Sequence, residues 1–201
     1  MTKIENTLIN YFESHLPQLK GSYAWKIPVI EGFEQSQESS YAANVALKCY
    51  LHERYQISDY KERLHLAHIV IADWGGVRGN KPDTLKSYVD RLEADNPVTP
   101  IEGVASYSKL FSIFNPTRYA IYDARVAACL NAIQCNAGVD QGRVFNYVPG
   151  RNNIVGHTGE KKGFTQNTQF SRTTLVNKGW QSIARRDTYQ IYIATLKNCL
   201  K

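Results

Sequence analysis

Two side chains near the middle of the chain have types and spacing suited to chemistry on an electrophilic carbon. Lys109 lies in Ser106-Tyr107-Ser108-Lys109-Leu110-Phe111-Ser112-Ile113-Phe114, and Asp123 follows fourteen residues later in Ile121-Tyr122-Asp123-Ala124-Arg125-Val126-Ala127, beyond a turn marked by Asn115-Pro116. A lysine amine becomes a nucleophile when burial or a neighbouring cation lowers its pKa. An ionised carboxylate stabilises developing positive charge or positions an incoming nucleophile. Each residue also has an ordinary reading. On an ideal helix Val104, Tyr107, Phe111 and Phe114 share one face, and Lys109 lies about 170° from its centre, where a solvated lysine would sit. Asp123 falls at the first turn of a helix bearing Val126, Cys129, Leu130 and Ile133, where any capping carboxylate is held ionised by the dipole and the free N–H groups.

Other residues offer contacts to a large polyanionic ligand. Trp74-Gly75-Gly76-Val77-Arg78-Gly79-Asn80-Lys81-Pro82 supplies an aromatic face, close backbone approach and an amide. It equally suits a helix-terminating loop with a core tryptophan. Pro149-Gly150-Arg151-Asn152-Asn153 places hydrogen-bonding groups on a turn, and Lys161-Lys162, Arg172, Lys178 and Arg185-Arg186 concentrate positive charge in the last third. Such residues contact phosphates or simply solubilise the surface; their clustering favours the former. His157-Thr158-Gly159-Glu160-Lys161 has no flanking cysteine–histidine pairs and no Gly-Lys-[Ser/Thr] ending, so neither a zinc finger nor a nucleotide-hydrolysing P-loop is indicated. His65 and His68 lack an acidic ligand partner and read as structural.

The elements that must position these groups are mainly helical. Ile4, Leu8, Ile9, Tyr11 and Phe12 predict an opening helix that ends near Pro17, followed by an extended aromatic stretch over 21–32. Helices are expected over 39–55, 58–74 and 83–95, then one on each side of Asn115-Pro116, and a last one over 186–200. Residues 138–163, rich in glycine and asparagine, read as a long loop of the kind that is functional or mobile. No strand pattern rivals these helices, and no repeat or separable linker is evident.

Composition bounds the rest. The 201 residues suit one well-packed domain or two small lobes sharing a cleft; one unit over 1–201 is expected. With 43% apolar and 21% charged residues there is no case for general disorder. No apolar run approaches a membrane span, and Met1-Thr2-Lys3-Ile4-Glu5-Asn6 lacks a signal-peptide core, which predicts a cytoplasmic protein without membrane association. Cys49, Cys129, Cys135 and Cys199 form no Cys-x-x-Cys pair, which argues against a zinc, iron–sulfur or redox centre and predicts reduced, mostly buried thiols. The net charge of +6 favours a polyanionic partner.

Tyr107-Ser108-Lys109-Leu110-Phe111 and Ile121-Tyr122-Asp123-Ala124-Arg125-Val126-Ala127 together resemble the paired motifs of the helix-hairpin-helix DNA glycosylase superfamily, especially its 8-oxoguanine-glycosylase-like bacterial branch. There an aromatic-x-[Ser/Thr]-Lys segment precedes an apolar-Asp-[Ser/Ala]-Arg-Val-Ala segment. The likeness covers about a sixth of the chain. It implies an all-α, two-lobed fold with the active site between the lobes, Asp123 as the catalytic carboxylate and Lys109 as the nucleophile of the bifunctional members. The hairpin, typically Leu-Pro-Gly-Val-Gly, is degraded here to Ile101-Glu102-Gly103-Val104-Ala105, and the Lys109-to-Asp123 connection is shorter than the common one.

The implied activity is cleavage of the N-glycosidic bond of a damaged or modified base in DNA, by a monomer needing neither cofactor nor metal. Trp74, Arg78 and Asn80 would serve the base pocket or the gap left by the extruded nucleotide. Arg125, Arg151, Asn152, Asn153, Lys161, Lys162, Arg172, Arg185 and Arg186 would grip DNA. An extension of the reading is anti-phage defence by excision of a hypermodified base. Its rivals are a non-catalytic DNA-binding protein on the same scaffold and an interaction protein with no DNA role.

Overall fold

Capping side chains set the helix starts. The computed structural model describes residues 2–35, 39–150, 154–155, 163–164 and 167–200. Helix α1 (Lys3–His15) opens on a reciprocal capping box: the Glu5 N–H donates to Thr2 Oγ1 at 3.3 Å and the Thr2 N–H to Glu5 Oε2 at 2.7 Å. A 3₁₀ turn at Leu16–Gln18, holding Pro17, leads into the single turn α2 (Leu19–Ser22). Helices α3 (Ser40–Ile57) and α4 (Tyr60–His68) are capped by Ser39 and Asp59. A π-helical stretch, Ile69–Trp74, continues α4, and α5 (Pro82–Glu93) begins at a proline. Helices α6 (Val104–Phe114) and α7 (Ala124–Asn136) flank Asn115-Pro116 as the apolar spacing predicts. They are followed by β1 (Arg143–Val144), α8 (Arg172–Asn177), β2 (Gln181–Ser182) and α9 (Thr188–Cys199).

The chain forms a mostly helical structure that divides into two compact units. One comprises Met1–Ser14, Thr99–Ala105 and Ile121–Lys201; the other comprises His15–Val98 and Ser106–Ala120. They are called here the Asp123 unit and the Lys109 unit. The Lys109 unit packs Leu47 and Leu51 of α3, Leu66 of α4, Val70 and Ile71 of the π-helix, Val89 of α5 and Leu110 and Phe111 of α6, all fully buried. Tyr55 stacks on Phe114 with centroids 3.9 Å apart, and His52 Nδ1 meets the Ile113 carbonyl at 2.9 Å, fixing α3 on α6.

In the Asp123 unit, α7 grips the chain after it through side chains. Asn131, fully buried, donates to the Phe145 carbonyl and accepts from the Phe145 N–H, both at 2.9 Å. Gln134 does the same for Arg143, at 3.0 and 2.8 Å. Asn146 donates to the Ile183 carbonyl at 2.9 Å and to Thr188 Oγ1 at 2.8 Å, and Asn198 donates to Glu5 Oε1 at 2.8 Å, tying α9 to α1.

Three expectations need correction. The region 138–163 is not all loop: it contains β1, and Val139, Val144, Phe145, Asn146 and Val148 are buried where α7 amides pair with the backbone of Arg143 and Phe145. Strands β1 and β2 pair in parallel, Arg143 with Gln181 and Val144 with Ser182, around a small core of Val144, Leu175 and Trp180. Two-residue strands and a six-residue helix are too short to show periodicity. The four free cysteines are not buried: Cys49 and Cys129 are exposed and Cys135 and Cys199 half-buried.

Candidate functional site

In the Lys109 unit the candidate site grows from α6. Residues Ser106, Tyr107, Ser108, Lys109, Leu110 and Phe111 are all buried, so this stretch is covered on every face and is not the amphipathic helix its spacing predicts. Lys109 is only 7% exposed. The element that covers it is the end of the π-helix. The Gly75 N–H donates to the Val70 carbonyl and the Val77 N–H to the Ile71 carbonyl, each at 2.9 Å, a widened turn that throws Gly75 against α6. A Cβ at Gly75 would stand 2.7 Å from Lys109 Cδ, 2.7 Å from the Val70 oxygen and 2.8 Å from the Ile71 oxygen. Glycine is therefore required for the lysine stem to pass. Burying an ammonium costs free energy, and the neutral amine is the form that burial favours.

Trp74 precedes that glycine and is buried at 5% exposure. Its Nε1–H donates to Asn44 Oδ1 at 2.9 Å, and its carbonyl accepts from Trp25 Nε1 at 3.1 Å. The Trp25 ring meets it edge-on at 6.3 Å, and Lys48 Nζ lies 5.2 Å from its centroid. Burial pushes the Lys48 pKa down. Asn44 Nδ2 completes the net by donating to the carbonyls of Trp25 and Ser40, at 2.7 and 2.8 Å. Trp74 thus sits in the core, with its polar atoms engaged inside the unit. Asn80 donates to the Val77 carbonyl at 3.3 Å and to Ser106 Oγ at 3.2 Å, which fastens the glycine turn to α6 one helical turn before Lys109; Arg78 is exposed.

In the Asp123 unit, Asp123 caps α7. Its Oδ1 accepts from the N–H groups of Arg125 and Val126, at 2.9 and 3.1 Å, and the residue is half-buried. Both residues before it are anchored by tyrosines: the Tyr192 hydroxyl donates to the Ile121 carbonyl at 2.8 Å, and the Tyr122 hydroxyl to the Asn146 carbonyl at 2.7 Å. Burial, followed by the charges of Asp123 and Cys129, raises the Tyr192 pKa well above the usual phenol range. At Gly150 a Cβ would stand 2.8 Å from the Ala124 Cβ, so the Pro149-Gly150 turn closes on the first residue of α7.

The structure places Lys109, Trp74, Arg78 and Asn80 in one unit and Asp123, Arg125, Arg172, Arg185 and Arg186 in the other. Arg125 is exposed on the first turn of α7. Arg172 donates to Ser182 Oγ at 2.6 Å and to Asn146 Oδ1 at 3.4 Å, Arg185 pairs with Glu102 at 3.2 Å, and Arg186 meets Asp187 at 3.7 Å. Arg151, Asn152, Asn153, Lys161 and Lys162 lie outside the described residues. The Asp123 unit carries twelve Lys and Arg against seven Asp and Glu, and the Lys109 unit twelve against eleven. Nearly all the positive excess therefore belongs to the Asp123 unit.

The segment Ile101-Glu102-Gly103-Val104-Ala105 is a single glycine turn: Gly103 has φ 77°, and the Val104 N–H donates to the Ile101 carbonyl at 3.2 Å as α6 begins. Sequence reasoning missed Gly75 as the residue that admits Lys109, and missed Lys48, Asn44 and Tyr192 altogether. The doubled glycine after Trp74 was a signal for the first; the others read as ordinary helix positions. Among the described residues no group of three or more His, Cys, Asp or Glu is placed to hold a metal ion, and no helix is long and apolar enough to cross a membrane. No protein-family model, curated protein or solved structure matches the chain.

Proposed function

We propose that the chain is a DNA glycosylase of helix-hairpin-helix type, two-lobed with a degraded hairpin, that excises a damaged or modified base. The observation that carries the reading is the burial of Lys109 in a helix stretch covered on every face, with a glycine opposite it that no other residue could replace without displacing the lysine stem. A surface lysine needs no such arrangement; an amine kept poorly solvated for nucleophilic attack does. Asp123, whose Oδ1 accepts from two N–H groups at the start of α7, is the second support.

As the glycosidic bond breaks, its electron pair leaves with the base, which takes up a proton, and positive charge develops on the sugar. Asp123 stabilises that charge. In the monofunctional route water adds at C1′ and loses a proton, leaving an abasic sugar. In the bifunctional route the Lys109 amine forms the new bond to C1′ and loses a proton; the bond from C1′ to the ring oxygen then breaks, the oxygen leaving with the electron pair and taking up the remaining nitrogen proton, which gives an imine from which strand cleavage proceeds. The positive excess of the Asp123 unit grips phosphates, with Arg125, Arg172, Arg185 and Arg186 as contacts. The working form is a cytoplasmic monomer, and excision of a hypermodified base in phage DNA is the specialised role.

The deciding experiment incubates wild-type protein and Asp123→Asn with a panel of cellular and heavily modified phage DNAs and measures released base by mass spectrometry. Release by wild type alone is expected. Tight binding without release from any DNA favours the second reading, a non-catalytic DNA-binding protein on the same scaffold. That reading draws on Trp74 and Asn80, whose polar atoms are engaged inside the unit.

A further inference from the structure

We propose that the face of α3 bearing Tyr41, Val45 and Lys48, together with Tyr23 and Trp25 of the extended segment after α2, is a platform on which unpaired bases of single-stranded DNA stack. The choice of DNA rests on the glycosylase reading; the geometry of the platform does not. Tyr41, Val45 and Lys48 stand at i, i+4 and i+7, one stripe about 10 Å long. Val45 is exposed at its middle, and the other two are half-buried. The helix turns Leu47 and Leu51 into the core, yet an apolar side chain between an aromatic ring and an ammonium stays uncovered among the described residues.

The neighbouring segment adds two more rings. Burial alternates along it: Tyr23 and Trp25 are half-buried and Ile27 buried, whereas Ala24 and Lys26 are exposed, the pattern of an extended chain with one side turned inward. The Tyr23 ring meets the Tyr41 ring edge-on, with centroids 5.9 Å apart. Trp25 is fastened to the start of α3 by its carbonyl, which accepts from Ser40 Oγ at 2.9 Å and from Asn44 Nδ2 at 2.7 Å. Its indole N–H donates to the Trp74 carbonyl at 3.1 Å. The rings are therefore placed before a ligand arrives, which lowers the ordering cost of binding. Stacking on them tolerates any sequence, because every base has a π-face.

Lys48 sets the charge of the ligand. Its Nζ lies 5.2 Å from the centroid of the Trp74 ring, which in turn meets the Trp25 ring at 6.3 Å. Burial pushes its pKa down, and among the described residues no carboxylate pairs with it. A half-buried ammonium without a counter-charge favours an anionic ligand. With Lys26 exposed beside Trp25, that anion is the phosphate between stacked bases. The acidic Glu31 belongs to another face: the Tyr50 hydroxyl that donates to its carbonyl at 3.5 Å stands two residues past Lys48, about 200° round α3. Duplex bases already stack on one another, so the platform selects a single strand, such as one opened around an extruded nucleotide.

Undamaged DNA tests the platform, because no excision is required. Oligodeoxythymidine carrying 5-iododeoxyuridine, irradiated on the full chain, should give adducts that mass spectrometry maps to Tyr23, Trp25 or Tyr41. Adducts confined to other residues overturn the proposal without any variant having to fold. In fluorescence anisotropy with labelled oligodeoxythymidine, Tyr41→Ala should weaken binding about tenfold, and Tyr41→Phe, which keeps the ring, should hold the wild-type affinity. Lys48→Gln should flatten the slope of log affinity against log salt by about 0.7, the share of one single-strand phosphate. Tyr60→Ala, which removes an exposed tyrosine of α4, is the control and should change neither. Unchanged affinity in folded Tyr41→Ala, or an equal loss on a duplex of the same length, overturns the proposal; tighter binding of oligouridylate overturns the assignment to DNA. Base release is read separately. Single-strand binding that needs Tyr41, without release from any DNA, keeps the platform and removes the glycosylase, whereas release with binding indifferent to Tyr41 does the reverse.

Discussion

In the Lys109 unit the reactive candidate sits where six consecutive residues of α6 are buried, and packing against Gly75 and an aromatic net sets its position. In the Asp123 unit the candidate stands at a half-buried helix start, positioned by backbone N–H groups and by two tyrosine hydroxyls on its approach. Charge divides the same way: the lysine lies in a nearly neutral unit and the carboxylate in the positive one. Lys109 is thus positioned by packing between elements and Asp123 by local backbone hydrogen bonds.

The largest effect should come from separating charge from cap at Asp123. Asparagine is as good an N-cap as aspartate, so Asp123→Asn should lower base release by about 10³-fold while leaving the thermal midpoint nearly unchanged. Asp123→Ala should lose activity equally and also lose about 1 kcal/mol of stability, the usual value of a cap. Equal activity in wild type and Asp123→Asn would reduce Asp123 to a structural cap.

Gly75→Ala should produce the next largest change, in stability rather than charge. A methyl there meets two backbone oxygens and the lysine stem, and overpacking of this kind costs about 3 kcal/mol. Gly76→Ala is the control: it has φ 69° but nothing within 4 Å, so only the strained backbone acts, at about 1 kcal/mol. Urea denaturation of the two variants measures the contrast. Equal costs would mean that Lys109 is not held by Gly75.

These residues also show what could be read from the chain. The long helices were legible because apolar spacing and terminal prolines mark them; α3, α4, α5 and α7 begin within a residue or two of expectation. Asp123 as a cap was legible for the same local reason. Lys109 was not, because helical projection places residues relative to one face and says nothing of a second element covering the other. The clamp of Asn131 and Gln134 on β1 was equally hidden: buried amides and two-residue strands leave no periodic trace.

Tyrosine ionisation sharpens the comparison at smaller magnitude. In the Asp123 unit burial pushes Tyr147 up to about 12; in the Lys109 unit Tyr60 also reaches about 12, chiefly through its hydrogen bond to Asp90 at 2.6 Å on an exposed surface. An unfolded tyrosine ionises near 10, so each raised value favours the folded state below about pH 10 and that contribution is lost as pH climbs from 10 towards 12. High salt should lower the Tyr60 value in part, through the screened charges of Asp90 and Glu93, and leave Tyr147 raised, since ions screen surface charge but do not hydrate a half-buried ring. Ultraviolet titration of Tyr60→Phe and Tyr147→Phe against wild type resolves the two; equal salt sensitivity would show that both shifts are surface electrostatics.

The smallest effect concerns single phosphate contacts. If DNA affinity comes from the excess charge of the Asp123 unit, each contact removed there should reduce the slope of log affinity against log salt by about 1. Arg186 is the cleanest probe, because its side chain is 87% exposed and, among the described residues, only a 3.7 Å pairing with Asp187 competes for it. Arg186→Ala should therefore flatten the slope by about 1 and weaken binding about equally across DNA sequences. Its counterpart in the nearly neutral unit is Lys61, an exposed basic residue on α4, and Lys61→Ala should leave the slope unchanged. Equal flattening by both substitutions would mean that phosphate binding is spread over the whole surface, and the division of charge between the units would then carry no functional weight.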